Sequence, residues 1–457
     1  MVRTVALVWQ SAMAVFVLTV PATIIAVDPQ AQSRQPSDIT ATISAGAGGA
    51  PRLAVLDFIA QPADAETVAV GRMIRQVLVD DLAFEREFAL MPPDSYATIP
   101  APGSLEDVPF ARWRELKADG VLMGTVQKTA ADLHVEVRLF NVRTKVSTFV
   151  KSYDASAASP RRYAHTIADD LHMSQRGLRG VARTKLTFDS DRDGERAINA
   201  VEKDGVKEVY FGDYDGANQQ RVTVYRSLNI NPTWSPDGRS IAYTSYRREL
   251  PRIFISNIYQ GTLEDLTKNA GSSYLPAWSP DGTRLCFAST RDGGQPELYV
   301  VNRDGSNVRR LTNHPASDLA PTWSPSGTQI AFVSDRTGTP QIYTIGADGQ
   351  GMRQVTHEAY ADRPSWSPGP NREIAYAART GRGNDIKVIE LGTGRVRRLT
   401  LGEGTNESPS WAPNGRHLAF TSTRSGKTQV FVMSRTGKNV RQITYRGNNY
   451  QPDWSKD

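Results

Sequence analysis

Six tryptophans recur through the second half of this 457-residue chain, 43 to 45 residues apart. Each follows a proline by two residues, and most are followed by Ser-Pro and a glycine-containing turn. The phrases hold Trp234, Trp278, Trp323, Trp366, Trp411 and Trp454. A fixed period of roughly 40–50 residues is typical of a four-stranded propeller blade. The repeat therefore predicts stacked copies of one β-unit.

Within each repeat, the residue types predict four strands joined by short turns. Steps such as Ser235-Pro-Asp-Gly238 suit a tight turn, because proline and glycine supply its two special backbone geometries. Alternating apolar runs follow each turn, and a short last strand ends at a threonine. An arginine lies 13 residues after each of the first five tryptophans. We expect these repeated residues to build turns and interblade packing rather than chemistry.

The number of blades follows from what is missing at the two ends of the repeat. Five repeats run in full from Trp234 to Thr444. An upstream unit at about 185–226 has no Trp phrase, and the phrase around Trp454 has no blade behind it. The two fragments complete each other, which predicts a six-bladed β-propeller closed by the C-terminal strand. Such closure removes exposed sheet edges.

The part of the chain before the propeller predicts three further segments. Arg3, an apolar run over 5–20 and Pro21-Ala22 resemble a secretory signal peptide, placed at 1–27, with an uncleaved anchor helix as the alternative. Residues 28–50 are predicted to be a flexible lead-in, 51–180 an α/β domain, and 185–457 the propeller. We expect no membrane span after processing, and a monomer.

The predicted α/β domain alternates strand-like and helix-like patterns. Apolar residues at helical spacing predict helices at 66–82, 110–117 and 160–173. Runs rich in β-branched residues predict strands at 52–58, 120–127, 133–141 and 146–153. Helices against a mixed sheet make an α/β domain.

Composition and motifs argue against several classes of function. The net charge of +6 comes without a dense basic block, which disfavours nucleic-acid binding. Gly-x-Ser-x-Gly, His-Glu-x-x-His and Walker-type glycine motifs are absent from the sequence. The six histidines do not recur in the repeat register, and His165 and His172 lack a third ligand at metal spacing. The single cysteine, Cys286, forms no internal disulfide. We therefore predict no catalytic residue, no metal and no cofactor.

The loops that enter the Trp phrases are the candidate binding site, because they vary while the frame stays constant. Their mixture of tyrosine, amide and acidic side chains suits a protein surface better than a reaction centre. The predicted partner-binding residues are Asn229, Ile230, Ser273, Tyr274, Asp318, Leu319, Ala361, Asp362, Asn406, Glu407, Asn449 and Tyr450.

The chain resembles the TolB family of the Tol–Pal system over its whole predicted mature length. Similar Trp phrases occur in other propeller families, so the N-terminal segments make the resemblance specific. These segments are Asp38-Ile-Thr-Ala-Thr-Ile43, Pro51-Arg-Leu-Ala-Val-Leu-Asp-Phe58, Trp113–Gly124, Val137–Val142 and Arg162–Asp169. The junction at 173–183 departs from the family pattern, which usually has Thr-Gly, Phe and Thr-Arg-Ile there.

The resemblance implies a non-enzymatic periplasmic scaffold that acts in outer-membrane integrity and in envelope constriction during division. It implies that the lipoprotein Pal binds at the propeller mouth, where the family's contact loops match the loops above by position. It also implies that the inner-membrane protein TolA binds the mature N-terminal segment, here Asp38, Ile39, Thr40, Ala41, Thr42 and Ile43.

Two other classes of function stay open at this point, an enzyme, in either of two forms, and a glycan-binding protein. A propeller hydrolase or lactonase would need a catalytic or metal cluster at the channel, which the histidine pattern does not supply. A peptidase fused to the propeller would need a further domain after it, which this sequence does not contain. A glycan-binding channel could use tyrosines and tryptophans, although most of the tryptophans are better explained by blade packing.

Overall fold

Six four-stranded antiparallel sheets follow a small mixed sheet in the computed structural model of the chain, which describes residues 42–44, 49–129, 131–195, 205–268, 271–370 and 372–456. The described residues belong to one unit, Thr42–Asp457. The predicted signal peptide lies outside the described residues. The predicted domain boundaries stay predictions.

The N-terminal α/β region is built on one mixed sheet. Its strands, in spatial order, are Ala89–Leu90, Arg52–Val55, Gly120–Lys128, Asp132–Asn141 and Ser147–Ser156, with Ile59–Gln61 paired beside Gly120–Lys128. Its helices are α1 (Ala65–Glu85), α2 (Phe110–Glu115) and α3 (Pro160–Arg176). A 3-10 turn spans Pro93–Tyr96.

The helix ends follow from local chemistry. The Asp64 carboxylate accepts a hydrogen bond from the backbone N–H of Thr67 at 2.8 Å and so caps the start of α1. Gly177 ends α3 in the left-handed region, at φ 63°. The helices predicted at 66–82, 110–117 and 160–173 are therefore observed, with ends that differ by a few residues.

The strand predicted at 52–58 is shorter than expected. Its ladder ends at Val55, and a separate strand begins at Ile59. The Val55 carbonyl accepts hydrogen bonds from the Tyr96 hydroxyl at 3.1 Å and from Arg75 Nε at 3.0 Å. Side chains thus occupy the backbone acceptor at which the predicted strand would have continued.

The propeller has six blades, numbered here around the ring from the sheet that contains both ends of the propeller. Blade 1 comprises Asn449–Trp454, Lys185–Ser190, Glu208–Asp213 and Gln220–Arg221. Blade 2 comprises Asn229–Trp234, Ser240–Ser245, Arg252–Asn257 and Leu263–Asp265. Blade 3 comprises Ser273–Trp278, Arg284–Ser289, Glu297–Asn302 and Arg309–Arg310. Blade 4 comprises Asp318–Trp323, Gln329–Ser334, Gln341–Gly346 and Arg353–Gln354. Blade 5 comprises Ala361–Trp366, Glu373–Thr380, Gly383–Glu390 and Val396–Arg398. Blade 6 comprises Asn406–Trp411, His417–Ser422, Gln429–Ser434 and Arg441–Gln442.

The prediction of a six-bladed β-propeller after an α/β region is confirmed. In blade 1, the last strand of the chain pairs antiparallel with the first strand of the propeller, with Trp454 opposite Leu186. The first strand of each blade, called the inner strand here, ends at the repeated tryptophan. The tryptophans are largely buried, and the six inner strands pack side by side around the central channel.

Candidate functional site

The propeller has two faces, and the direction of the strands distinguishes them. Every inner strand starts on one face and ends at its tryptophan on the other. The α/β region packs against the tryptophan face, because the Tyr214 hydroxyl donates to Asp81 at 2.7 Å and the Arg416 guanidinium pairs with Glu85. We call the opposite face, where the inner strands start, the mouth face.

The predicted partner-binding residues form two groups at the start of the inner strands. The first member of each predicted pair has no exposed surface. These residues are Asn229, Ser273, Asp318, Ala361, Asn406 and Asn449. In two blades the repeated arginine explains this burial, since Arg336 donates to both Asp318 oxygens and Arg424 donates to Asn406. In blade 1, Arg192 takes the equivalent place and donates to Asn449. The side chains of the first members are therefore buried beneath the loops, and their predicted role in partner contact stays a prediction.

The second member of each predicted pair reaches the surface of the mouth face. Glu407 is exposed, and the other five are partly exposed. These five are Ile230, Tyr274, Leu319, Asp362 and Tyr450. The direct-contact part of the prediction thus rests on the second members, and the structure brings all six to one ring on the mouth face.

The channel just inside this ring is lined by residues that were not predicted from the sequence. The third residue of each inner strand has a positive φ of 49° to 58° and precedes the repeated proline. These residues are Asn231, Leu275, Ala320, Arg363, Ser408 and Gln451, and they line a cavity of about 140 Å³. Proline donates no backbone hydrogen bond, and the ladder shifts register at every one of these positions. The repeated x-Pro step was the available signal.

Charged groups in and beside the channel come from blades 1 and 5. Asp453 accepts hydrogen bonds from Thr233 Oγ1 at 3.0 Å and from the backbone N–H of Trp234 at 2.8 Å, which ties blade 1 to blade 2. Asp189 is fully buried, and its carboxylate oxygens have no hydrogen-bond partner among the described residues. Burial raises the pKa of Asp189 to about 7, and the positive charges of Lys207 and Arg363 oppose that rise.

The repeated arginines are structural in the described blades. Their guanidinium groups lie over aromatic rings, as Arg424 does at 5.3 Å from the Phe420 centroid and Arg336 at 5.1 Å from the Tyr343 centroid. Cation–π contact and hydrogen bonding together account for their recurrence. The expectation that they serve packing rather than chemistry agrees with these contacts.

The predicted N-terminal contact segment lies mostly outside the described residues, which include only Thr42 and Ile43 of it. Ile43 is 1% exposed in the hydrophobic core of the α/β region. Its backbone N–H donates to Gln175 Oε1 at 3.0 Å, and Asn141 Nδ2 donates to the Thr42 carbonyl at 3.3 Å. Ile43 therefore anchors the end of the segment, and the rest of that prediction remains open.

The helix histidines and the cysteine are buried. His165 Nδ1 lies 2.8 Å from Asp81, and His172 Nδ1 lies 2.8 Å from the Ala168 carbonyl. Burial raises the pKa of the Cys286 thiol. In the described ranges, three or more His, Cys, Asp or Glu side chains never converge as a metal site would require. None of the helices in those ranges combines the length and the apolar character needed to cross a bilayer.

The fold and the site define a β-propeller protein with an N-terminal α/β region and a ring-shaped mouth. The family model of the TolB amino-terminal domain matches residues 39–148, and that of the TolB beta propeller domain matches residues 176–368 and 358–457. The chain belongs to the TolB family.

Individual relatives agree with this assignment. The Tol-Pal system protein TolB of Desulfosudis oleivorans is 32% identical over 200 residues, which are 43% of this chain and 41% of that protein. The protein of the same name from Nitrosococcus oceani is 29% identical over 234 residues, which are 51% of each chain. The match thus spans about half the length of these curated relatives or less.

A solved structure supports the fold. The crystal structure of TolB from Acinetobacter baumannii aligns with a TM-score of 0.74 at 22% identity, covering 89% of this chain and 96% of that chain. At that identity the likeness concerns the fold alone.

Proposed function

We propose that this chain is a non-enzymatic periplasmic scaffold of the Tol–Pal system. It binds a Pal-type peptidoglycan-associated lipoprotein at the mouth face and a TolA-type inner-membrane protein through the segment before Ile43. In this role it supports outer-membrane integrity and envelope constriction during division. Family membership and the names of the relatives support the system.

The mouth ring is the observation that carries the binding part of the proposal. Six buried side chains at the starts of the inner strands hold six partly or fully exposed ones in place, on the face opposite the α/β region. Such preorganised loops lose little conformational freedom on binding, which favours protein recognition.

The binding test uses the purified protein and the soluble domain of the Pal-type lipoprotein from the same organism. Calorimetry should show binding that is lost when Ile230, Tyr274, Glu407 and Tyr450 are all changed to alanine. The control changes Tyr259 and Val396, which are exposed on the outer strands and turns, to alanine. Absence of binding by the unmodified protein, or equal loss in both variants, would contradict the proposal.

The TolA part is tested by deleting residues 28–41, which spares Thr42 and the buried Ile43. We expect binding of the soluble TolA-type domain to fall sharply while the unfolding temperature changes little. An Ile43→Ala variant is the contrast, because removing this buried side chain should cost about 2–4 kcal/mol of unfolding free energy. If the deletion melted the protein, the segment would be structural instead.

A further inference from the structure

One position on the mouth face differs systematically between the two halves of the ring. In every blade, the residue directly after the repeated threonine lies exposed in the loop that leads to the next blade. In blades 1, 5 and 6 this residue is Val224, Leu401 and Tyr445, which are 66%, 70% and 72% exposed. In blades 2, 3 and 4 it is Lys268, Asn313 and His357. These six residues occupy equivalent positions in the six blades, so their side chains can be compared directly.

The three apolar positions are consecutive around the ring, since blade 6 lies between blades 5 and 1. We call blades 5, 6 and 1 the apolar arc, and blades 2, 3 and 4 the polar arc. Leu250 is 44% exposed in the mouth-face loop of blade 2. The Arg247 guanidinium in that loop lies 4.4 Å from the ring of Tyr225, next to Val224, so Leu250 is near the end of the apolar arc.

A cavity of about 150 Å³ opens in the same arc. Blade 5 contributes Asp362, Arg363 and Asn384, blade 6 contributes Glu407, and blade 1 contributes Tyr450. The cavity is offset from the channel axis toward the blades that carry the apolar residues. Two independent features of the mouth face, exposed apolar side chains and a recess, therefore coincide.

The cavity lining has an excess of hydrogen-bond acceptors. Asp362 accepts from the Tyr360 hydroxyl at 2.9 Å, and Glu407 accepts from Asn384 Nδ2 at 2.8 Å. Neither carboxylate forms an ion pair with a described residue. The buried Asn384 Oδ1 atom has no hydrogen-bond donor in the described part of the chain. Two carboxylates line the cavity with the single guanidinium of Arg363, and the Lys207 ammonium lies just outside it, 3.7 Å from the centroid of the Tyr450 ring. The acceptors of the lining, which include the unpaired Asn384 Oδ1, fit a donor-only side chain best.

We propose that the apolar arc, and not the whole mouth, is the main docking surface, and that its occupant is a folded protein with an apolar patch beside a lysine or arginine. The apolar patch covers Val224, Leu401 and Tyr445, and the basic side chain enters the cavity between Asp362 and Glu407. Burying exposed apolar area gives affinity, and the charge pair sets the register of the partner. This inference rests on the proposed function, which supplies the partner for its test.

The first experiment compares matched triple variants that alter the same repeat position in each arc. The probe is the soluble Pal-type lipoprotein domain, and calorimetry measures its Kd. Val224→Ser, Leu401→Ser and Tyr445→Ser together should weaken binding by at least about tenfold, as loss of interface anchors does. Lys268→Ser, Asn313→Ser and His357→Ser together should change the Kd by less than about twofold. Equal effects, or a larger effect in the polar arc, would overturn the inference.

The second experiment tests the cavity. Asp362→Asn with Glu407→Gln should weaken binding by about fivefold or more and flatten its dependence on salt, because a charge pair is lost. The control is Asp335→Asn, a mouth-face carboxylate of the polar arc that accepts from the Ser317 backbone N–H at 2.8 Å. An unchanged salt dependence in the cavity variant would exclude the basic side chain.

The outcomes separate this inference from the function it rests on. If the unmodified protein does not bind the lipoprotein domain, the proposed function fails. If it binds and the two arcs contribute equally, the proposed function stands and the docking surface is the whole ring.

Discussion

At the scale of single residues, Asp189 is a propeller side chain whose burial disfavours its own charge. It is a carboxylate with no exposed surface and no hydrogen-bond partner among the described residues. Its pKa is about 7 in the folded protein, against an ordinary value of 3.8, because burial disfavours the ionised form. Folding therefore favours the protonated acid, and Asp189 is one of the buried groups, with Glu85, that make stability depend on pH.

The sign of that dependence gives the first prediction. The contribution of Asp189 to the free energy of unfolding is fully present below pH 3.8, where the side chain is protonated in the folded and the unfolded state. That contribution is lost as pH rises toward and through 7. Asp189→Asn cannot ionise, so it should raise the free energy of unfolding at pH 8 by up to about 4 kcal/mol and leave it unchanged near pH 3. Urea unfolding at both pH values measures this difference. A variant that is less stable at pH 8 would show that the charge is favourable.

At the scale of elements, the repeated threonine extends the hydrogen bonding of the short outer strand of each blade. Thr312 lies just beyond the last strand of blade 3, and its hydroxyl accepts the backbone N–H of Leu298 at 3.0 Å. The same hydroxyl donates to the buried Glu297 at 2.6 Å. The equivalent threonines of the other blades accept the matching backbone N–H. A side chain thus replaces a ladder bond in each blade.

The second prediction is that removing this hydroxyl destabilises the protein. Thr312→Val keeps the shape but leaves the Leu298 N–H unpaired and Glu297 short of a donor. We expect the free energy of unfolding to fall by about 1–3 kcal/mol, the cost of an unsatisfied buried polar group. Thr312→Ser retains the hydroxyl and should lose less than half as much. Chemical denaturation of both variants tests the prediction, and equal losses would show that the hydroxyl contributes no more to stability than the methyl group does.

The period of the repeat was sufficient to predict the blades, because it appears directly in Trp234 and its five counterparts. The site was harder to predict, since of two neighbouring residues in one loop one is buried and the other is exposed. Asp318 is buried because Arg336, 18 residues away, reaches it, whereas Leu319 reaches the surface. The positive φ at Ala320 shifts the register of the strand. Such contacts depend on three-dimensional packing, and one sequence does not show them.

At the scale of the whole molecule, ion pairs join the α/β region to the propeller, and Glu85 is the most buried carboxylate among those that pair with an arginine across this junction. Glu85 at the end of α1 pairs with Arg416 in blade 6 and also accepts the backbone N–H of Val181 at 3.0 Å. The Phe84 ring stacks on His417 at 4.4 Å between centroids. The departure of the 173–183 junction from the family pattern therefore coincides with a well-packed interface.

The third prediction is that breaking the ion pair between Glu85 and Arg416 destabilises the protein. Burial raises the pKa of Glu85 to about 7, so the test is made at pH 8, where the carboxylate is mostly ionised. Arg416→Ala should cost about 3–5 kcal/mol there, because a buried charge loses its counterion. Adding Glu85→Gln should restore part of that loss, since the remaining side chain is neutral. Thermal unfolding of both single variants and the double variant measures the coupling. Additive losses would show that the two side chains act independently.

The most direct test of the central claim is hydrogen exchange of the protein with and without the soluble Pal-type lipoprotein domain. The proposed docking surface predicts slower exchange on the mouth face, strongest at residues 400–408 and 444–451 in the apolar arc. Protection confined to the α/β region or to the tryptophan-face turns would contradict it.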